Sequence, residues 1–168
     1  SSVLMTVLSW PFFIDSWGTS LAVVLGGLRW GMLSGIIYNV VMAFTFWGTA
    51  SWVWLFCSVW IAILTSFFNK AGWIDLHKPG KLLGAGIIIG LLNSVAVAII
   101  TSVSKLPLYH GIMSVNQFFL KLTGSPNTAS IVEKIAVEVA DKTISLLLVA
   151  VAVIFIRDFF NWNRLEKK

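Results

Sequence analysis

The apolar runs of this chain are long and unbroken. Gly86 to Ile100 is interrupted only by Asn93 and Ser94, and Ile144 to Ile156 only by Ser145. A strand of a membrane barrel alternates apolar and polar residues, so runs without a period of two, rich in Leu, Ala and Gly, read as helices. Composition extends the point to the whole chain. With 58% of residues hydrophobic and 11% charged, and a mean hydropathy of +0.89, there is too little polar side chain to cover a water-facing globule. The expectation is an all-α membrane protein, a single domain over residues 1–168 built as a bundle of about five to six transmembrane helices.

Four spans are clear: Gly31 to Phe46, Trp52 to Phe68, Leu82 to Ser104 and Ile131 to Ile156. The region before them admits two readings. Ser1 to Ile14 is apolar but broken by Pro11 and then Asp15, and Trp17 to Leu28 is apolar but only about 18 Å long as a helix. Either two helices meet between Pro11 and Ser16, or one kinked helix runs through. The opening Ser1-Ser2-Val3-Leu4 has neither a methionine nor a basic leader, as expected of a processed or trimmed chain.

If the spans alternate, Arg29, Lys70, Lys78, Lys81, Arg157, Arg164, Lys167 and Lys168 fall on one side, eight of the twelve basic residues. The positive-inside rule makes that side cytoplasmic, with residues 157–168 as a cytoplasmic tail. Tryptophans follow the same division, with Trp10, Trp17, Trp47, Trp52 and Trp54 toward the outer interface and Trp30, Trp73 and Trp162 toward the inner one. The net charge of +5 therefore sets topology, and nucleic acid is excluded as a partner. On the outer side the longest connection, Lys105 to Ser130, carries Pro107, an amphipathic stretch from His110 to Leu122 and the turn-rich Gly124-Ser125-Pro126-Asn127. A connection this long usually has a function, and it reads either as a lid over the outer face or as a plain interfacial helix.

The last span holds Glu133, Lys134, Glu138, Asp141 and Lys142. Lys134, Glu138, Asp141, Lys142 and Ser145 recur at helical spacing, so they form one stripe facing protein or water. Glu138 to Lys142 lie about 10 to 17 Å below the outer end of that helix, where a charge is costly unless paired. A structural ion pair between Glu138 and Lys142 is the plain alternative to a binding site. Asn39 and Asn93 fall at similar depth in their own spans; each alone reads more readily as interhelical glue, but together with Asp15 they complete the candidate lining of an outward-facing cavity. Small residues at spacing four, Gly31 and Gly35, Gly86 and Gly90, Ala136 and Ala140, mark close helix contacts. His77 and His110 sit on opposite sides, Cys57 is the single cysteine, and no phosphate loop or nucleophile elbow occurs. No enzyme activity, metal or cofactor is expected.

The run Pro11-Phe12-Phe13-Ile14-Asp15-Ser16-Trp17-Gly18-Thr19, then Leu25-Gly26-Gly27, then Gly31, Gly35 and Asn39, resembles the substrate-binding S component of an energy-coupling factor (ECF) transporter. Glu138 and Asp141-Lys142-Thr143-Ile144-Ser145 match a second recurring feature of that family, an acidic residue and an Asp-Lys pair in the last helix. The resemblance implies six helices with both ends cytoplasmic and a vitamin-like small molecule bound from outside. It also implies, as partners, a transmembrane coupling subunit and two ATPase subunits that deliver the ligand inward. Similar sequences also occur as sensor regions ahead of histidine kinases, which makes ligand sensing the alternative function.

Overall fold

The computed structural model describes residues 16–48, 52–104 and 113–165. Asp15 and the apolar residues 1–14, like residues 105–112 of the long connection, lie outside the described residues. Everything described is helix or short turn, with no strand.

A hairpin opens the described chain. Helix α1 (Trp17–Gly26) and helix α2 (Leu28–Met42) are separated by Gly27 alone. Gly27 has φ 87° and ψ 178°, a backbone state open to glycine and strained for other residues, and its N–H still bonds Val23 O at 2.8 Å. The two helices then run back on each other with Thr19 and Val23 against Gly31 and Gly35. A Cβ built on Gly31 would stand 2.0 Å from Val23 Cγ2, and one on Gly35 2.8 Å from Ser58 Cβ. These glycines let α2 nest between α1 and α3. The apolar segment from Trp17 is thus a short helix that ends at Gly26, and Leu28 already belongs to the next helix.

After α2 a π-helical turn, Ala43–Trp47, ends at Gly48. Helix α3 (Trp54–Lys70) follows and closes with a Schellman motif: Trp73 N–H bonds Phe68 O and Gly72 N–H bonds Asn69 O, both at 3.0 Å, with Gly72 at φ 68°. The hydrophobic contact expected of that motif is the Phe68 and Trp73 ring pair, 5.2 Å between centroids. Helix α4 (Pro79–Ser104) starts with proline in its first turn, where a missing N–H costs nothing. Just before it, Asp75 accepts from His77 N–H at 3.0 Å and pairs with the His77 ring and Lys78. The His77 backbone and side-chain hydrogen bonds hold the exposed Asp75 carboxyl below its usual pKa.

Helix α5 (Met113–Thr123) packs on helix α6 (Pro126–Leu165) across a turn at Gly124, φ 65°. Two boundaries differ from the sequence expectation. The last helix starts at Pro126 instead of Ile131, because Pro126 again supplies a helix start, and it continues past Ile156 through Leu165. At 40 residues α6 is about 60 Å long. The long connection is correspondingly shorter than expected, and α5 occupies the amphipathic stretch read near His110 to Leu122.

The most extensive packing joins α4 to α6, antiparallel, and α1 bridges α2, α3 and α6. A core of Phe68, Leu82, Ala85, Ile89, Leu146 and Ala150 lies where α3, α4 and α6 meet, capped by Trp73, Ile74 and Leu76 of the loop. The polarity of the rest is inverted. Ser16, Thr19 and Ser20 form the buried side of α1 while Trp17 and Leu25 are exposed, and Phe56, Phe67, Val95, Ile99 and Phe155 also face outward. Among the described residues, two helices are long and apolar enough to cross a membrane, Pro79–Ile100 and Pro126–Phe159, each with a mean hydropathy of 2.3 over its most apolar window. Trp17–Gly26 and Trp54–Lys70 are shorter apolar helices.

Candidate functional site

Close approach of two backbones creates the site. Gly86 and Gly90 face α6: an added Cβ on Gly86 would lie 2.6 Å from Thr143 Cα, and one on Gly90 2.4 Å from Val139 Cα and 2.8 Å from Glu138 O. No side chain fits between the helices there, so Asn93, on the next turn of α4, meets Glu138 directly. Its Nδ2 donates to Glu138 Oε2 at 2.7 Å.

Lys142 completes the group. Its Nζ lies 2.6 Å from Asp141 Oδ2 and 3.6 Å from Glu138 Oε2. Adjacent residues on a helix do not normally face each other, so the Asp141 contact requires the lysine stem to curl back along α6. The expected pair at spacing four, Glu138 with Lys142, is present but is the longer of the two. Asp141 and Lys142 are 2% and 4% exposed, so this is a buried ionic group whose charge-assisted hydrogen bonds offset part of a desolvation cost of several kcal/mol per ion. Glu133 is also buried, nearer the start of α6.

A carboxylate can only accept, and this fixes the Asn93 amide with its NH₂ toward Glu138. Asn93 Oδ1 then points away as a fully buried acceptor with no hydrogen-bond partner among the described residues, and Thr143 Oγ1 is in the same condition. Buried acceptors in that state are uncommon in folded proteins, and a bound molecule or water is the usual partner. Hydroxyls extend the polar region toward α1. Ser145 is joined to Ser16 at 3.3 Å, and Ser20 to Thr65 of α3 at 3.3 Å.

Four of the sequence-predicted residues, Asn93, Glu138, Asp141 and Lys142, come together. Asn39 does not join them through any described hydrogen bond. It donates to Gly35 O at 2.8 Å and Ser58 Oγ at 2.6 Å, which stitches α2 to α3. That is an interhelical role, a polar side chain bonding across two packed helices. Asp15 lies outside the described residues. Sequence reading missed Ser16, Ser20 and Thr65; the signal was available, since Ser16, Thr19 and Ser20 share one helical face in a segment otherwise apolar. No group of three or more His, Cys, Asp or Glu able to hold a metal occurs among the described residues. The arrangement offers paired charges and the spare polar atoms of Asn93 and Thr143, which suits reversible recognition of a polar molecule. No known protein family, curated protein or solved structure matches this chain.

Proposed function

We propose that the chain is a multi-pass membrane protein that binds a polar, vitamin-like small molecule at Asn93, Glu138, Asp141 and Lys142. In this reading it serves as the S component of an ECF-type uptake system. The observation that carries the reading is the ionic group itself, buried between helices whose outer faces are apolar. Water would drive such a molecule to the opposite arrangement, whereas lipid favours it. A charged group retained at that depth is a functional candidate by default. The spare Asn93 acceptor supports a ligand that donates an N–H or O–H, and the lysine beside two carboxylates suits a zwitterionic or strongly dipolar molecule.

Orientation follows from charge. With alternating helices Arg29, Lys70, Lys78, Lys81 and Arg157 come to one end, which is cytoplasmic by the positive-inside rule, and α6 leaves the membrane on that side. The ligand enters from the opposite side, and delivery inward depends on a coupling subunit and two ATPases as the sequence resemblance implies.

One observation favours a second reading. Helix α6 carries the ionic group and then runs unbroken to Leu165, well past the level where α4 begins at Pro79. A continuous helix from site to exterior is what a ligand sensor needs to report binding. Thermal-shift measurements of the detergent-purified protein against vitamins, nucleobases and amino acids test the shared core of both readings. A ligand that stabilises the native protein, and fails to stabilise Asp141→Asn while that variant still folds, is expected. If no compound on the panel stabilises it, the binding reading falls; uptake that needs added coupling and ATPase subunits then separates transport from sensing.

A further inference from the structure

The ionic group does not sit at the end of the bundle; it sits above a floor. Ile89 lies one helical turn below Asn93 on α4, and Leu146 follows Ser145 on α6. From Ile89 to Leu82, about 10 Å along α4, Ile89, Ala85, Leu82, Phe68, Leu146 and Ala150 pack into one apolar cluster where α3, α4 and α6 meet. Leu82, Ala85 and Ile89 are each at most 1% exposed. An ion or polar ligand passing this plug would lose its hydration with little beyond Thr143 Oγ1 in exchange.

The plug has a cover. Residues 71–78 fold over it with Trp73, Ile74 and Leu76 packed on its surface. Trp73 is the fastener: its ring packs at a tilt on Phe68, 5.2 Å between centroids, and lies against Gly84, where an added Cβ would come within 3.3 Å of Cζ3. The far end of the loop is held by the exposed Asp75 pairings and by the backbone bonds from Lys78 and Lys81. Exposed ion pairs of that kind contribute little.

We propose that the α3–α4 loop and the apolar plug beneath it form a gate that closes the ionic group from the loop end of the bundle, with Trp73 as its latch. The inference rests on the reading of a membrane-embedded site and adds the route. Discharge toward the basic end requires the loop to lift, whereas loading takes place from the other end.

The test uses a Ser145→Cys reporter in a Cys57→Ser background, reconstituted in vesicles and labelled by a membrane-impermeant cationic thiosulfonate from each face. A Lys78→Cys reporter identifies which face carries the loop. The loop-side rate should be far below the rate from the opposite face. Trp73→Ala should raise the loop-side rate about tenfold, as expected if a minor open state grows from about 1% to about 10%, and leave the opposite rate unchanged. Leu82→Ala should act in the same direction, and Trp73→Phe, which keeps a ring, should restore closure. Unchanged loop-side labelling in both alanine variants, or equal increases at both faces, would overturn the gate. Loss of ligand binding with the labelling asymmetry intact would instead overturn the proposed function and leave the gate standing.

Discussion

The two halves of the α4–α6 pair share a backbone geometry and differ in everything attached to it. Toward the Asn93 end, Asn93, Glu138, Asp141 and Lys142 make an ionic group; toward the loop end, Leu82, Ala85, Leu146 and Ala150 make a dry core. Helix pairing therefore does not depend on the polar group, since apolar packing and close backbone approach already supply it. The ionic half carries a desolvation cost that the apolar half avoids, and a buried ion pair is seldom the more stabilising choice. Its presence is easier to explain by recognition than by folding.

Gly90→Ala should do the greatest damage, because its methyl group would collide with the backbone of Val139 and neither helix can yield without separating. More than about 4 kcal/mol is expected, read as loss of folded protein in detergent, and it would take both halves down together. Asp141→Asn comes next. It removes the shorter of the two carboxylate contacts to Lys142 and keeps the longer one to Glu138, at a cost of about 3 kcal/mol, and ligand binding should fall with it. Leu82→Ala should cost about 2 to 3 kcal/mol in unfolding while leaving ligand affinity within about twofold. If Leu82→Ala abolished binding and Asp141→Asn spared it, the contrast between the halves would be broken.

Smaller effects sharpen the same contrast. Asn39→Ala should lose about 0.6 to 1.7 kcal/mol, typical of an interhelical hydrogen bond in a membrane, with no change in affinity. The smallest effect lies outside the helices. Asp75 has a lowered pKa in the folded protein, so its contribution is present above the ordinary value of 3.8 and is lost as pH falls through the lower folded value. Protease nicking of the α3–α4 loop should rise only below about pH 4, and Asp75→Asn should remove that dependence.

Much of this architecture was legible in the residues. Continuous apolar runs marked the helices, and spacing of three and four along α6 placed Glu138, Asp141, Lys142 and Ser145 together, because helical periodicity is local. The small-residue pairs Gly31 and Gly35, and Gly86 and Gly90, marked close contacts but not their partners, since partner choice depends on tertiary packing. Asn39 shows the same limit: its depth matched that of Asn93, yet depth says nothing about which side of a helix faces which neighbour. The extension of α6 to Pro126 and Leu165 was missed because polar residues at both ends look like connection, although they are compatible with helix once water surrounds it. The hydroxyl face of α1 was overlooked because each serine or threonine alone is ordinary in an apolar helix.

Whether the ionic group holds a molecule is most directly tested by mass spectrometry of small molecules retained by the purified protein, comparing the native chain with Glu138→Gln, Asp141→Asn and Lys78→Ala. A single compound bearing an N–H or O–H donor should be retained by the native protein and by Lys78→Ala. It should be depleted by at least about tenfold in the two carboxylate variants, the loss of about 1.4 kcal/mol of binding. Equal retention in all four, or no retained compound in any, would contradict the account.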